Sequence, residues 1–153
     1  GAMENWGAVT FRENLLLGGF VRRRRKPNLR SDMEQTLEIF PHLRERLAQT
    51  AGTLSGGEQQ MLAMARAMMR NPRLICIDEP SMGLSPRYVD TVYAALRRLK
   101  ERRLTLFVVE QNATRALEIA DRAYILRGGR LVREGRAQEL RRDPEVRKAY
   151  LGE

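Results

Sequence analysis

Residues 74–80 read Leu74-Ile75-Cys76-Ile77-Asp78-Glu79-Pro80, and residues 54–59 read Leu54-Ser55-Gly56-Gly57-Glu58-Gln59. In the first stretch, four consecutive apolar residues bounded by Pro72 and Asp78 predict a buried strand. Two adjacent carboxylates at its carboxyl end lie where open α/β sheets bind ligands. Asp78 is suited there to hold a metal-bound water, and Glu79 to polarise an attacking water as a general base. A plain acidic turn is the alternative, though two carboxylates directly after four apolar residues are less common. In the second stretch, Ser55 and Glu58 have the spacing of a capping box. Gly56 and Gly57 then leave backbone N–H groups uncovered at a helix start, where unpaired donors and the helix dipole favour an anion such as phosphate. Taken alone, a simple helix start is the preferred reading of Ser-Gly-Gly-Glu.

The surrounding sequence supplies the frame. Upstream, Thr10 with Glu13 opens a short apolar helix that Gly18-Gly19 is expected to end. Ser31 with Glu34 opens a second, with Met33, Leu37 and Phe40 on one face, stopped by Pro41. Leu43 and Leu47 predict another helical turn or two. The helix after Ser55 carries Met61, Met64, Ala65 and Met68 at helical spacing, which reads as core packing. Downstream, Ser85-Pro86 is a helix start with proline at the first position. Val89, Val92, Tyr93, Leu96 and Leu99 form the stripe of a long amphipathic helix. Residues 104–109 predict a second buried strand, followed by a helix carrying Ala113, Ala116, Leu117 and Ala120. Residues 123–126 and 131–133 flank Gly128-Gly129 as a hairpin, and Asp143-Pro144 caps a last short helix. The first half is helical and the second is α/β with a parallel pair of strands.

The chain has 153 residues with 42% hydrophobic and 31% charged content, which fits one folded domain. Apolar runs such as Leu106-Phe107-Val108-Val109 fall far short of the ~20 residues a bilayer crossing needs. One cysteine makes no internal disulfide, and no secretory leader is recognisable, so a cytoplasmic setting is expected. Gly1-Ala2-Met3 reads as an expression-tag scar and is set apart from the fold. The formal net charge is +9, and 25 of the 28 basic residues are arginine. Only Arg22-Arg23-Arg24-Arg25-Lys26 is a dense basic run. No aromatic residues interleave with it as a base-stacking platform requires, so a solvated loop is preferred over nucleic-acid binding.

Together, the two opening stretches, in this order and joined by a helix and Pro72, resemble the signature motif and Walker B strand of the ATP-binding subunits of ABC transporters. Val109-Glu110-Gln111-Asn112 stands where that family's switch region follows its strand. Residues 120–126 with Gly128-Gly129-Arg130 resemble its closing hairpin, and Glu13-Asn14-Leu15 resembles the start of its helical subdomain. Glu-Gln-Asn, Gly83-Leu84-Ser85-Pro86 and Phe40-Pro41 are most similar to the subunits of branched-chain amino acid importers.

The resemblance implies a partial P-loop nucleoside triphosphatase domain of ABC type. Residues 4–53 would be its helical subdomain, and residues 54–153 the signature helix and the C-terminal part of the core. It implies ATP and Mg2+ as cofactors, with Ser55, Gly56, Gly57, Glu58 and Asp78 on the nucleotide side and Asp78 toward the metal. Glu79 and Gln111 would be catalytic, Gln111 replacing a histidine that many members carry. It implies a second ATP-binding subunit and a transmembrane permease as partners, at the inner face of the cell membrane. The 153 residues contain no Gly-x-x-x-x-Gly-Lys-Ser/Thr loop, whose backbone and lysine hold the β- and γ-phosphates. The expectation is therefore a truncated domain that completes a partner's site through Ser55 and is inactive alone. Loss of the phosphate-loop strand would leave an unpaired edge near residues 104–109, open to a second copy of the chain. The competing reading is an interaction module that binds partner subunits without catalysis.

Overall fold

Helix caps and glycine placement set the order of the first elements. The computed structural model describes residues 7–20 and 28–151, so residues 1–3 and the basic run at 22–26 lie outside the described residues. Helix α1 spans Phe11–Phe20, and its start is a capping box in which the Thr10 N–H donates to Glu13 Oε2 at 2.7 Å. It runs through Gly18 and Gly19 and does not stop there as the sequence predicted. The reason is close packing: a Cβ on Gly18 would lie 2.4 Å from the Arg66 carbonyl oxygen of helix α3, Gly56–Met68. Helix α2, Leu29–Ile39, also departs from expectation. Its cap is Asn28, whose side chain accepts from the Ser31 N–H, so Ser31 lies inside the helix. Pro41–Arg46 forms a 3-10 helix where Leu43 and Leu47 predicted a helical turn or two.

Helix α3 begins as the sequence predicts. Ser55 is its N-cap, with the Ser55 N–H donating to Glu58 Oε2 at 2.9 Å and the Ser55 hydroxyl to the same oxygen at 2.8 Å. Arg46 Nε reaches the other carboxylate oxygen at 3.1 Å. Desolvation pushes the Glu58 carboxyl upward, but the two bonds from Ser55 and the Arg46 guanidinium outweigh it and hold the group below its ordinary value.

Strands β1, Leu74–Asp78, and β2, Thr105–Val109, pair in parallel with Leu74 opposite Thr105 and Asp78 opposite Val109. Helix α4, Pro86–Glu101, connects them. Its stripe of Val92, Tyr93, Leu96 and Leu99 is buried in the same core as Ile75, Ile77, Phe11, Leu37 and Met69. Arg98 donates to the Ile39 carbonyl at 3.0 Å, tying α4 to the end of α2. Helix α5, Ala113–Ile119, leads to a hairpin of β3, Arg122–Arg127, and β4, Arg130–Arg136. Gly128 and Gly129 both have positive φ at its turn, 56° and 73°, the backbone a two-residue hairpin loop demands. Short helices α6, Ala137–Leu140, and α7, Pro144–Val146, follow, and Arg147–Leu151, a π-helical turn, is the last described element. Leu117, Ala137, Leu140 and Val146 make a second, smaller core.

The parallel pair is not buried on both faces, which corrects the expectation of two buried strands. Ile75 and Ile77 point into the core, while Leu74, Phe107 and Val109 on the other face are 52%, 55% and 47% exposed, and Cys76 among them is also exposed. Parallel sheets are normally covered on both faces; among the described residues only one side has a cover. Likewise β2 has β1 as its only strand neighbour among the described residues. No helix among them is long and apolar enough to cross a membrane.

Two outcomes follow from these contacts. Gly18→Ala gains roughly 1 kcal/mol of helix propensity, but overpacking against a backbone oxygen typically costs 1–3 kcal/mol, so the urea unfolding midpoint falls. For Glu58, a carboxyl held below 4.5 in the fold stabilises fully above that pH and loses its contribution as the pH drops through the lowered value. Glu58→Gln therefore shows a shallower loss of stability between neutral and acid pH, measured by thermal unfolding across a pH series.

Candidate functional site

Two groups of side chains carry the expected chemistry, each built by a different local rule. The first lies where β1 and β2 end. The ladder continues one residue beyond β1, the Glu79 N–H donating to the Val109 carbonyl at 2.8 Å. Glu79 then turns with φ 44°, a left-handed backbone that costs of order 1–3 kcal/mol in a residue with a Cβ. This turn brings the half-buried Glu79 beside the residue two past the end of β2. Gln111 Nε2 donates to Glu79 Oε1 at 2.7 Å. The two residues expected to be catalytic, 32 positions apart in the chain, are thus in direct contact. The amide fixes one carboxylate oxygen and leaves the other free to accept a proton.

Asp78, the last residue of β1, is exposed. Among the described residues no group of three or more His, Cys, Asp or Glu side chains gathers to hold a metal. A lone exposed carboxylate fits an Mg2+ that arrives with phosphates and keeps several of its waters, and does not fit a resident ion.

The second group is the start of α3. The Ser55 hydroxyl, which donates to Glu58, also lies 3.2 Å from the Tyr88 hydroxyl on the first turn of α4. Tyr88 explains the glycine at position 57: a Cβ there would sit 2.4 Å from the Tyr88 ring. Gly57 is therefore buried, and of the two glycines expected to present open N–H groups only Gly56 has free space around it. The two groups form separate hydrogen-bond clusters, the second resting on α4 through Tyr88. A cavity of about 260 Å³ between residues 39–42 and α4 is bordered by Asp90 and Arg98, and none of the expected site residues lines it. His42 at its rim is exposed.

Sequence reasoning did not single out Tyr88, and it quoted Glu110 within the switch region without giving it a role. Glu110 accepts from the backbone N–H groups of Ser81 and Asn112 at 3.1 and 3.3 Å. Tyr88 immediately precedes the stripe of α4, and Glu110 is the residue between β2 and Gln111; those placements are the only local signals either carries.

Comparison with known proteins identifies the family. The sequence model of the ABC transporter family matches residues 3–82, more than half of the chain, and that of the branched-chain amino acid ATP-binding cassette transporters matches residues 134–153. The high-affinity branched-chain amino acid transport ATP-binding protein BraG of Pseudomonas aeruginosa is 47% identical over 144 residues, covering 94% of this chain and 61% of that protein. A probable branched-chain amino acid transport ATP-binding protein, LivF, of Archaeoglobus fulgidus is 39% identical over 94% of this chain and 61% of its own length. The chain thus spans about three fifths of the length of these curated relatives. A nucleotide-free ATP-binding cassette from an ABC transporter superimposes with TM-score 0.76 at 26% identity, over 98% of this chain and 66% of that one. The α/β architecture, the parallel pair with its crossover helix and these matches agree: the chain belongs to the ABC transporter family.

Proposed function

We propose that this chain is the signature-bearing and hydrolytic part of an ATP-binding subunit that powers import of branched-chain amino acids. The 2.7 Å contact between Gln111 and Glu79 at the ends of adjacent parallel strands carries the reading. A carboxylate held by a neutral amide stays a proton acceptor, which is what a general base for an attacking water needs. The substrate class rests on the similarity to BraG and on the C-terminal family match.

In this reading Asp78 and Glu79 serve one ATP, whose phosphate loop is not among these 153 residues, and a second ATP is gripped by the phosphate loop of a second ATP-binding subunit. Ser55 and the Gly56 N–H of this chain face the phosphates of that second ATP, with Gly57 allowing Tyr88 to pack and Glu58 holding Ser55 in place. Asp78 would help hold Mg2+, which would neutralise charge on the phosphates. Glu79 accepts the proton of the attacking water while Gln111 fixes its orientation. Residues 4–53 form the helical subdomain that docks on a permease, and residues 54–153 belong to the ATPase core, on the cytoplasmic side of the membrane. The uncovered face and open edge of the β1–β2 pair fit sheet extension by a second copy; a strictly monomeric sedimentation profile at high concentration would count against that contact.

The test is Mg-ATP turnover by the chain alone and mixed with an ATP-binding subunit that carries the phosphate loop but has glutamine in place of its own general-base carboxylate, so that turnover depends on Glu79. The expected result is no turnover alone and turnover in the mixture. Glu79→Gln should lower that rate at least about 10²-fold, the usual worth of a general base. Assembly with turnover unaffected by Glu79→Gln leaves a binding module without catalysis.

A further inference from the structure

Glu110 joins the two turns that hold the candidate catalytic pair. One carboxylate oxygen accepts from the Ser81 N–H at 3.1 Å and the other from the Asn112 N–H at 3.3 Å. Ser81 follows Glu79 by two residues on the turn after β1, and Asn112 follows Gln111 by one on the turn after β2. A single side chain thus spans both turns at the point where neither is held by the ladder any longer. Backbone pairing ends with the Glu79 N–H on the Val109 carbonyl. Beyond it, the turns are tied across by Gln111 with Glu79 and by Glu110 with Ser81.

Glu110 is half-buried, and the fully buried Tyr93 of α4 lies against it: burial first, then the Glu110 charge, raises the Tyr93 phenol and keeps it neutral. Arg115 stands over the Tyr93 ring at 5.9 Å and is itself held by Asp90 at 2.6 Å. A carboxylate accepting two backbone N–H groups makes stronger bonds than a neutral acceptor, and glutamine is a poor substitute. It keeps one acceptor oxygen but turns an NH2 donor toward the other amide.

We propose that Glu110 is a positioning residue, a two-pronged clamp that sets the separation of the two turns and thereby holds Gln111 against Glu79. It touches neither nucleotide nor the attacking water. The inference rests on the catalytic assignment of Glu79 and Gln111 for its effect on turnover, but the clamp itself is a property of the chain alone.

The deciding experiment is amide hydrogen exchange and the Gln111 side-chain amide signals in NMR on the purified chain, for wild type, Glu110→Ala and Glu110→Gln. In Glu110→Ala, the Ser81 and Asn112 amides exchange about tenfold faster or more, as loss of bonds to a charged acceptor requires, and the Gln111 Nε2 signals move. Glu110→Gln is close to isosteric and keeps the fold testable if alanine does not; it retains protection at one of the two amides only. Unchanged exchange at both amides, or Gln111 signals that stay put, overturns the proposal. In the mixed ATPase, Glu110→Ala lowers kcat about tenfold with KM within about twofold, and Glu110→Gln lies between. An equal rise in KM with kcat intact overturns the positioning role. If the wild-type mixture shows no turnover, the ATPase reading fails, while the exchange and Gln111 results still decide the clamp.

Discussion

The hydrogen bond from the Glu79 N–H to the Val109 carbonyl, 2.8 Å long, is the constraint from which the site takes its shape. It carries the parallel ladder one residue past β1 and makes the turns after both strands leave from the same level. Glu79 must then adopt a left-handed backbone to let the chain turn toward α4. The strain of such a residue, of order 1–3 kcal/mol, is offset by burial. Ile75 and Ile77, immediately upstream, are 7% and 8% exposed, and each contributes roughly 1.5–3 kcal/mol on burial. The strand is anchored by its apolar side, and its polar end is held in a conformation it would not choose alone.

Helix α4 extends that constraint to the other half of the candidate site. Its first turn places Tyr88 over Gly57 and beside Ser55, and its middle places Tyr93 against Glu110. Its ends are fixed by β1 and β2. The start of α3 and the ends of the strands therefore share one rigid support although they exchange no hydrogen bonds of their own. Arg46, from the 3-10 segment, reaches Glu58 as well, so Ser55 is held from both the helical half and the α/β half of the chain.

Much of this was legible from the residues. The capping boxes at Thr10 and Ser55, the α4 stripe and the hairpin at Gly128-Gly129 are local signals, and the structure follows them. Each misreading has a physical cause. Gly18-Gly19 looks like a helix stop unless the crossing with α3 is known, because the need for a missing Cβ arises from Arg66, far away in sequence. Ser31 has the spacing of a cap, but Asn28 caps three residues earlier. Residues 74–77 look doubly buried, since an apolar run does not say whether both faces have a cover. In the candidate site, Glu79 was singled out as a carboxylate at a strand end and Gln111 through the family resemblance, and the structure brings the two side chains together. The role of Tyr88 and that of Glu110, quoted only within the switch region, were not legible, because their contacts with Ser55 and Ser81 span 33 and 29 positions and leave no periodicity behind.

The bare face of β1 has a practical side. Cys76, the sole cysteine of the chain, is exposed at its centre opposite Phe107. A thiol's reactivity follows its access to solvent, so the rate at which a maleimide dye attaches there measures how much of that face is covered. The sequence has in effect placed one spectroscopic handle on the sheet surface, and whatever packs against Phe107 and Val109 has to darken or shield it.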